Sequence, residues 1–184
     1  GRDYHPKCRI ALFGRHCTDT RIAEHRADLI QDMPRHTHGL SISGVQPKAQ
    51  LRVEGKQLAL VERRGTLILK PSPEAYPGVA ENEHLTLQMM RAIGIDVPEC
   101  GLLPLNDGHL VFVTRRYDRT DDGGTRHQED AMQSMGIAND DSQSKYDGAS
   151  YLEVLRHAEV LGGRVLVSGL LERLVVSYLV GNDD

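Results

Sequence analysis

The sequence predicts an α+β protein, a strand-rich first half with one embedded helix followed by a helical second half. Three observations predict it. Alternating or β-rich apolar stretches recur between Gln50 and Lys70 and again at His109–Thr114. One stretch of helical spacing, Val79, Glu83, Leu87, Met90 and Ile93, separates them. Beyond Gln128 the apolar residues follow a helical repeat alone, ending in Leu166, Leu170, Leu174, Val175, Tyr178 and Leu179.

Each element has its own signals. A helix is expected around Asp19–Met33, closed by Pro34. Gln50-Leu51-Arg52-Val53 alternates polar and apolar, Glu54-Gly55-Lys56 turns the chain, and Leu58–Val61 returns it. Arg64-Gly65 makes a second turn into Thr66-Leu67-Ile68-Leu69-Lys70, and Pro71, Pro73, Pro77 and Gly78 form an irregular connection. The helix that follows has Gly94 where a C′ residue belongs. A hairpin around Asn106-Asp107-Gly108 joins Leu102-Leu103 to His109–Thr114. Residues 118–127 read as a charged, glycine-containing loop. The helical half is interrupted at Asn139–Ser144 and at Gly162-Gly163.

Composition excludes several classes. With 39% hydrophobic and 26% charged residues, the 184-residue chain is neither disordered nor a coiled coil. No apolar run reaches the roughly 18 residues of a membrane span, and no signal peptide opens the sequence, so a cytoplasmic protein with no membrane partner is expected. Three cysteines fit a reducing compartment better than a disulfide framework. His5, Cys8, His16 and Cys17 lie close in sequence, but without a paired C-x-x-C spacing they do not read as zinc ligands. Residues 1–70 carry a net charge of +6 and residues 71–184 one of −10. That split suits an anion held by the first part and a divalent cation by the second; a nucleotide with its metal uses both. The acidic second part and the scarcity of aromatics argue against direct nucleic-acid binding.

Five constellations carry candidate chemistry. Ser41-Ile42-Ser43-Gly44-Val45-Gln46-Pro47-Lys48 has small residues that let backbone N–H groups approach an anion, and Lys48 adds charge. Its plain alternative is a Ser/Gly turn entering a hairpin. Lys70 ends an apolar strand, where it either snorkels to water or finds a partner, and Glu83 on the next helix is the obvious one. A strand lysine paired with a helix glutamate, downstream of a phosphate loop, is how protein kinases fix nucleotide phosphates. Val113–Arg119 is either a strand end with solvated arginines or a hinge whose backbone meets an adenine edge. His127–Asp130 is an acidic helix start, matched to the helix dipole whatever else it does. The terminal Gly181-Asn182-Asp183-Asp184 is either a frayed acidic tail or a metal- or proton-binding pair.

Taken together, Ser-Ile-Ser-Gly-Val-Gln-Pro-Lys, Leu-Ile-Leu-Lys-Pro-Ser-Pro, Glu-Asn-Glu-His, Arg-Arg-Tyr-Asp-Arg, Gln-Glu-Asp and Gly-Asn-Asp-Asp resemble the HipA-type toxin kinases, in that family's order and from Ser41 to Asp184. The short stretch before the Ser-Ile-Ser loop is most similar to the short-form HipT toxins. The resemblance implies a two-lobed, protein-kinase-like fold, with an N lobe over residues 1–116 and the start of a helical C lobe over 117–184. It implies transfer of the γ-phosphoryl group of ATP, with Mg²⁺, to a serine of a protein target; family targets are aminoacyl-tRNA synthetases. Carried over by motif, Ser43, Gly44, Val45, Gln46 and Lys48 belong to the phosphate loop, with Ser41 and Ser43 as autophosphorylation positions. Phosphate on that loop adds charge that repels ATP, which makes the modification self-inhibitory. Lys70 matches the phosphate-binding lysine with Glu83 as its helix partner, Arg115 to Tyr117 match the adenine hinge, and Asp184 the aspartate that accepts the hydroxyl proton.

The implied partners are a HipB-like antitoxin and a small HipS-like subunit. The loop has one glycine, unlike the Gly-x-Gly-x-x-Gly loop of ordinary protein kinases. The family's later His, Asn and metal-binding Asp find no match in the sequence, so no metal ligand is assigned within it. The expectation is therefore a toxin kinase cut short at its catalytic loop and inactive by itself. The alternative is a catalytically dead module that engages the antitoxin.

Overall fold

The structure is a computed structural model that describes residues 4–36, 46–120, 124–137 and 148–181. Its centre is a five-stranded antiparallel sheet built from β1 (Ala49–Glu54), β2 (Gln57–Val61), β3 (Leu67–Pro71), β4 (Cys100–Pro104) and β5 (Leu110–Arg115). The strands lie in the order β2-β1-β3-β5-β4. Register follows from the alternation of side chains: Leu51 faces Leu67, Leu69 faces Val113 and Leu103 faces Val111, so one apolar set lands on one face.

That face is covered by α1 (Pro6–Phe13), α2 (Arg26–Asp32) and a 3₁₀ turn (Met33–His36). Leu12, Phe13, Leu29 and Met33 join Ala49, Leu51, Leu67, Leu69, Val111 and Val113 in the main core. Burying side chains of this size contributes about 1.5–3 kcal/mol each relative to exposure. The opposite face receives α3 (Val79–Ala92), whose Ala80 packs on Phe112 and Cys100 with Leu87 and Leu102 beside them. Beyond the sheet lie α4 (Ala131–Ser134) and the long α5 (Tyr151–Val180).

The hairpins, the helix over 79–92 and its stop at Gly94 (φ 88°) follow the sequence signals. At that stop the N–H groups of Gly94 and Ile95 return to the carbonyls of Arg91 and Met90, both at 3.0 Å. Gly163 breaks the helical dihedrals of α5, as the glycine pair suggests, while the Asn139–Ser144 interruption lies outside the described residues.

Two differences have clear causes. The helix expected from Asp19 begins only at Arg26, because residues 18–25 are drawn out across the sheet. Thr18 and Asp19 donate to the Lys56 carbonyl, and the Asp107 carboxylate accepts the Arg26 N–H at 2.7 Å. A side chain 81 residues away thus caps the helix start. The other difference is α1, which the sequence pattern did not signal. Tyr4 fastens it by donating its hydroxyl to the Leu102 carbonyl at 2.8 Å, its ring lying where any β-carbon on Gly101 would clash.

Candidate functional site

Lys70 occupies the penultimate position of β3, on the face opposite the main core. Its direct cross-strand partner is Phe112, whose buried ring centroid lies 5.6 Å from Nζ. That is within reach of a cation–π attraction, and it holds the lysine stem in place. Nζ donates to Glu83 Oε1 at 2.5 Å, with both side chains about one-quarter exposed. The strand lysine and helix glutamate expected from sequence therefore do meet.

Local chemistry explains why Glu83 arrives there. Gly78 starts α3 in the left-handed region (φ 83°) and offers no side chain to cap it. Ser72, two residues past Lys70, supplies the cap by accepting the Ala80 N–H at 3.0 Å. It also lies 3.4 Å from Glu81 Oε2. One hydroxyl thus clamps the helix start to the end of the lysine strand, and Glu83 follows less than one turn later. At the other end of that approach, His84 Nδ1 and Gln88 Nε2 sit 3.9 and 3.6 Å from Cys100 Sγ on β4. Burial pushes the Cys100 thiol up and the His84 imidazole down, so both are favoured in their neutral forms.

The phosphate-loop candidates divide. Ser41, Ser43, Gly44 and Val45 lie outside the described residues, as does Asp184. Gln46 follows them directly and donates from Nε2 to the Pro71 carbonyl at 3.3 Å, which ties the exit of the loop to the end of the lysine strand. Lys48 is buried one residue ahead of β1. Ala49 pairs with Leu69, so the continued register sets Lys48 across from Lys70.

The hinge candidates divide as well. Arg115 pairs with Leu67, so its side chain leaves on the other face, where Nη1 donates to the Ala11 carbonyl at 3.3 Å. The backbone N–H groups of Arg115 and Arg116 are taken by the Glu99 and Thr66 carbonyls at 2.8 and 2.9 Å. Tyr117 is exposed, and among the described residues its N–H has no protein acceptor. Thr66 lies four residues before Lys70, about 13 Å along an extended chain.

Sequence reasoning missed the polar group that holds the segment around Arg116. Arg116 is buried, and its guanidinium grips Asp118 through two bonds of 2.8 and 2.6 Å. It also donates to Gln50 Oε1 at 3.2 Å, while Arg119 adds a bond to Asp118 at 2.8 Å. The Arg116 guanidinium holds the Asp118 carboxyl below the usual aspartate range. The signal was present as Arg-Arg-Tyr-Asp-Arg, but sequence does not say which arginine turns inward.

Residues 40–184 match the family model described as the HipA-like C-terminal domain. The chain belongs to that family. A protein of Haemophilus influenzae named putative kinase is 35% identical over 170 residues, covering 86% of this chain and 49% of the relative. The serine/threonine-protein kinase toxin HipA of Shewanella oneidensis is 31% identical over 108 residues, covering 54% of this chain and 24% of that protein. This HipA-family chain spans about half the length, or less, of the curated relatives it matches. The solved complex of Shewanella oneidensis HipA, HipB and operator DNA superposes over 88% of this chain and 44% of that one, with a TM-score of 0.63 at 21% identity. The HipA-like fold is thereby shown, with its five-stranded sheet and its helices on both faces.

Proposed function

We propose that the chain is the nucleotide-binding part of a HipA-type serine/threonine protein kinase, a toxin that an antitoxin partner neutralises. The observation that carries this reading is the Lys70–Glu83 pair at 2.5 Å on the sheet face that also leads to the hinge. Residues 1–116 would form the N lobe and 117–184 the start of the C lobe.

In this reading Glu83 holds the Lys70 ammonium toward the α- and β-phosphates of ATP, with Lys48 adding a second positive charge opposite. Ser43, Gly44, Val45 and Gln46 are the proposed phosphate loop, a stretch whose small residues let backbone N–H groups approach an anion. The free N–H of Tyr117 meets the adenine edge, and Arg115 contributes its backbone rather than its guanidinium. Asp184 accepts the proton of the attacking serine hydroxyl. Mg²⁺, when bound, neutralises charge on the phosphates. Among the described residues no three His, Cys, Asp or Glu side chains gather to hold a metal, so no residue is assigned to it. Phosphorylation of Ser41 or Ser43 by the kinase itself would put charge beside Lys48 and Lys70 and repel ATP.

The protein target proposed is an aminoacyl-tRNA synthetase, and the partners are a HipB-like antitoxin and a small HipS-like subunit as in HipT systems. A cytoplasmic setting belongs to the same proposal; among the described residues no helix is long and apolar enough to cross a membrane.

Calorimetric titration with Mg²⁺ and a non-hydrolysable ATP analogue tests the reading. Binding by the wild type that falls at least tenfold in Lys70→Met supports it, and a folded wild-type chain without affinity overturns it. Capture of a HipB-like antitoxin by a chain without nucleotide affinity favours the catalytically dead module instead.

A further inference from the structure

We infer that Gln50 is a positioning residue for the adenine end of the site, acting through Arg116. Gln50 is buried in β1 on the face that carries Lys70, and its amide reaches both the turn from β2 to β3 and Arg116. Its Nε2 donates to the Glu62 carbonyl at 3.0 Å, just past β2. Its Oε1 accepts the Gly65 N–H at 3.0 Å and Arg116 Nη1 at 3.2 Å. The turn from β2 to β3 is pressed so closely on Gln50 that a β-carbon on Gly65 would lie 2.6 Å from Gln50 Cβ. Arg64 takes a left-handed backbone (φ 59°) to bring it there.

The same amide therefore fixes two things at once. It anchors the turn whose end, Thr66, receives the Arg116 N–H, and it supplies the third bond on a guanidinium already committed to Asp118. Arg116 is held from both sides, backbone and side chain, immediately before Tyr117. Downstream, the Asp118 carbonyl accepts the Arg126 N–H at 2.9 Å, which carries the constraint beyond the hinge. A planar amide with one acceptor and one donor at these positions is what the arrangement needs. A carboxylate keeps the acceptor and loses the donor; a thioether keeps the volume, loses the donor and leaves only a weak acceptor.

Removing that amide frees the Arg116 side chain from β1 and lets the hinge backbone drift, while Lys70, Glu83 and Lys48 stay where the sheet puts them. The inference rests on the proposed nucleotide site. Its consequence is specific: Gln50 sets recognition of the base and leaves the phosphate end alone.

The test compares wild type, Gln50→Met and Gln50→Glu for binding of a non-hydrolysable ATP analogue, its GTP counterpart and inorganic tripolyphosphate, with folding checked by circular dichroism. The expected result is a preference for ATP over GTP that falls at least tenfold in Gln50→Met. Tripolyphosphate affinity should stay unchanged, and Gln50→Glu should recover most of the preference. Loss of folded protein would scale all three ligands together and leave the ratio intact. Faster hydrogen exchange at the Arg116 and Arg126 amides in Gln50→Met supports the inference without any ligand. An unchanged ratio, or a wild type that binds ATP and GTP alike, overturns it while the phosphate site stands. A wild type that binds none of the three overturns the nucleotide reading and this inference with it.

Discussion

Of the buried apolar side chains among the described residues, all but Ala158 lie between Leu12 and Val113. The thirty residues of α5 instead expose Val160, Leu161, Val165, Leu166, Val175, Tyr178 and Leu179, with Val165 at 86%. Both regions are rich in aliphatic residues. In the sheet region, strand pairing fixes which side chains share a face, and helices then cover each face. In α5 the same kind of side chain points to several sides of a helix that touches the rest only along part of its length, with Arg173 bonding the Asp96 carbonyl at 3.2 Å. Hydrophobicity supplies the drive, but burial requires an opposing surface.

The sharpest way to break this contrast is to attack the polar group buried in the sheet region. Asp118→Ala leaves the Arg116 guanidinium buried without its counter-ion and is expected to cost about 3–5 kcal/mol in urea denaturation. The pair also gives a pH signature. The folded pKa of Asp118 lies below its unfolded value of about 3.9, so its stabilisation is full above that value and is lost as pH falls through the folded pKa. Melting temperature measured below about pH 4 should therefore fall less steeply in Asp118→Asn than in wild type.

Next in size is the apolar core. Leu69 is fully buried on β3, and Leu69→Ala should cost about 2–5 kcal/mol by the same measurement. A smaller effect is expected within α5, where Gly163 sits at φ 63°, ψ −160°, a region only glycine enters freely. Gly163→Ala should therefore straighten the helix, worth about 1 kcal/mol in propensity. Ellipticity at 222 nm should rise, and protection of the segment around Asp96 should fall. The smallest effect belongs to Val165→Lys, which should change stability by no more than about 0.5 kcal/mol. A loss comparable to Leu69→Ala would mean that α5 is as firmly packed as the sheet.

Much of the fold was legible because its signals are local. Turns at Glu54-Gly55-Lys56 and Asn106-Asp107-Gly108 placed the hairpins, and Gly94 and Gly163 marked a helix end and a kink. The pairing of Lys70 with Glu83 was legible for a different reason: a charge at the end of an apolar strand needs a partner, and the next helix offered one. What stayed hidden depends on distant groups. The late start of α2 is set by Asp107, and α1 is docked by a tyrosine on Leu102. Arg115 and Arg116 look alike in sequence, yet one turns to Ala11 and the other to Gln50 and Asp118.

The sequence by itself determined the alternation of strands and helices, the chemical types at the candidate site and the resemblance to the HipA kinases, because these reside in spacing and residue type. Only the tertiary structure decided which arginine is buried, that the Tyr117 N–H has no acceptor among the described residues and that Gln50 joins β1 to Arg116. Those choices turn on which face each residue meets across the sheet, and that is fixed by register between segments far apart in the chain.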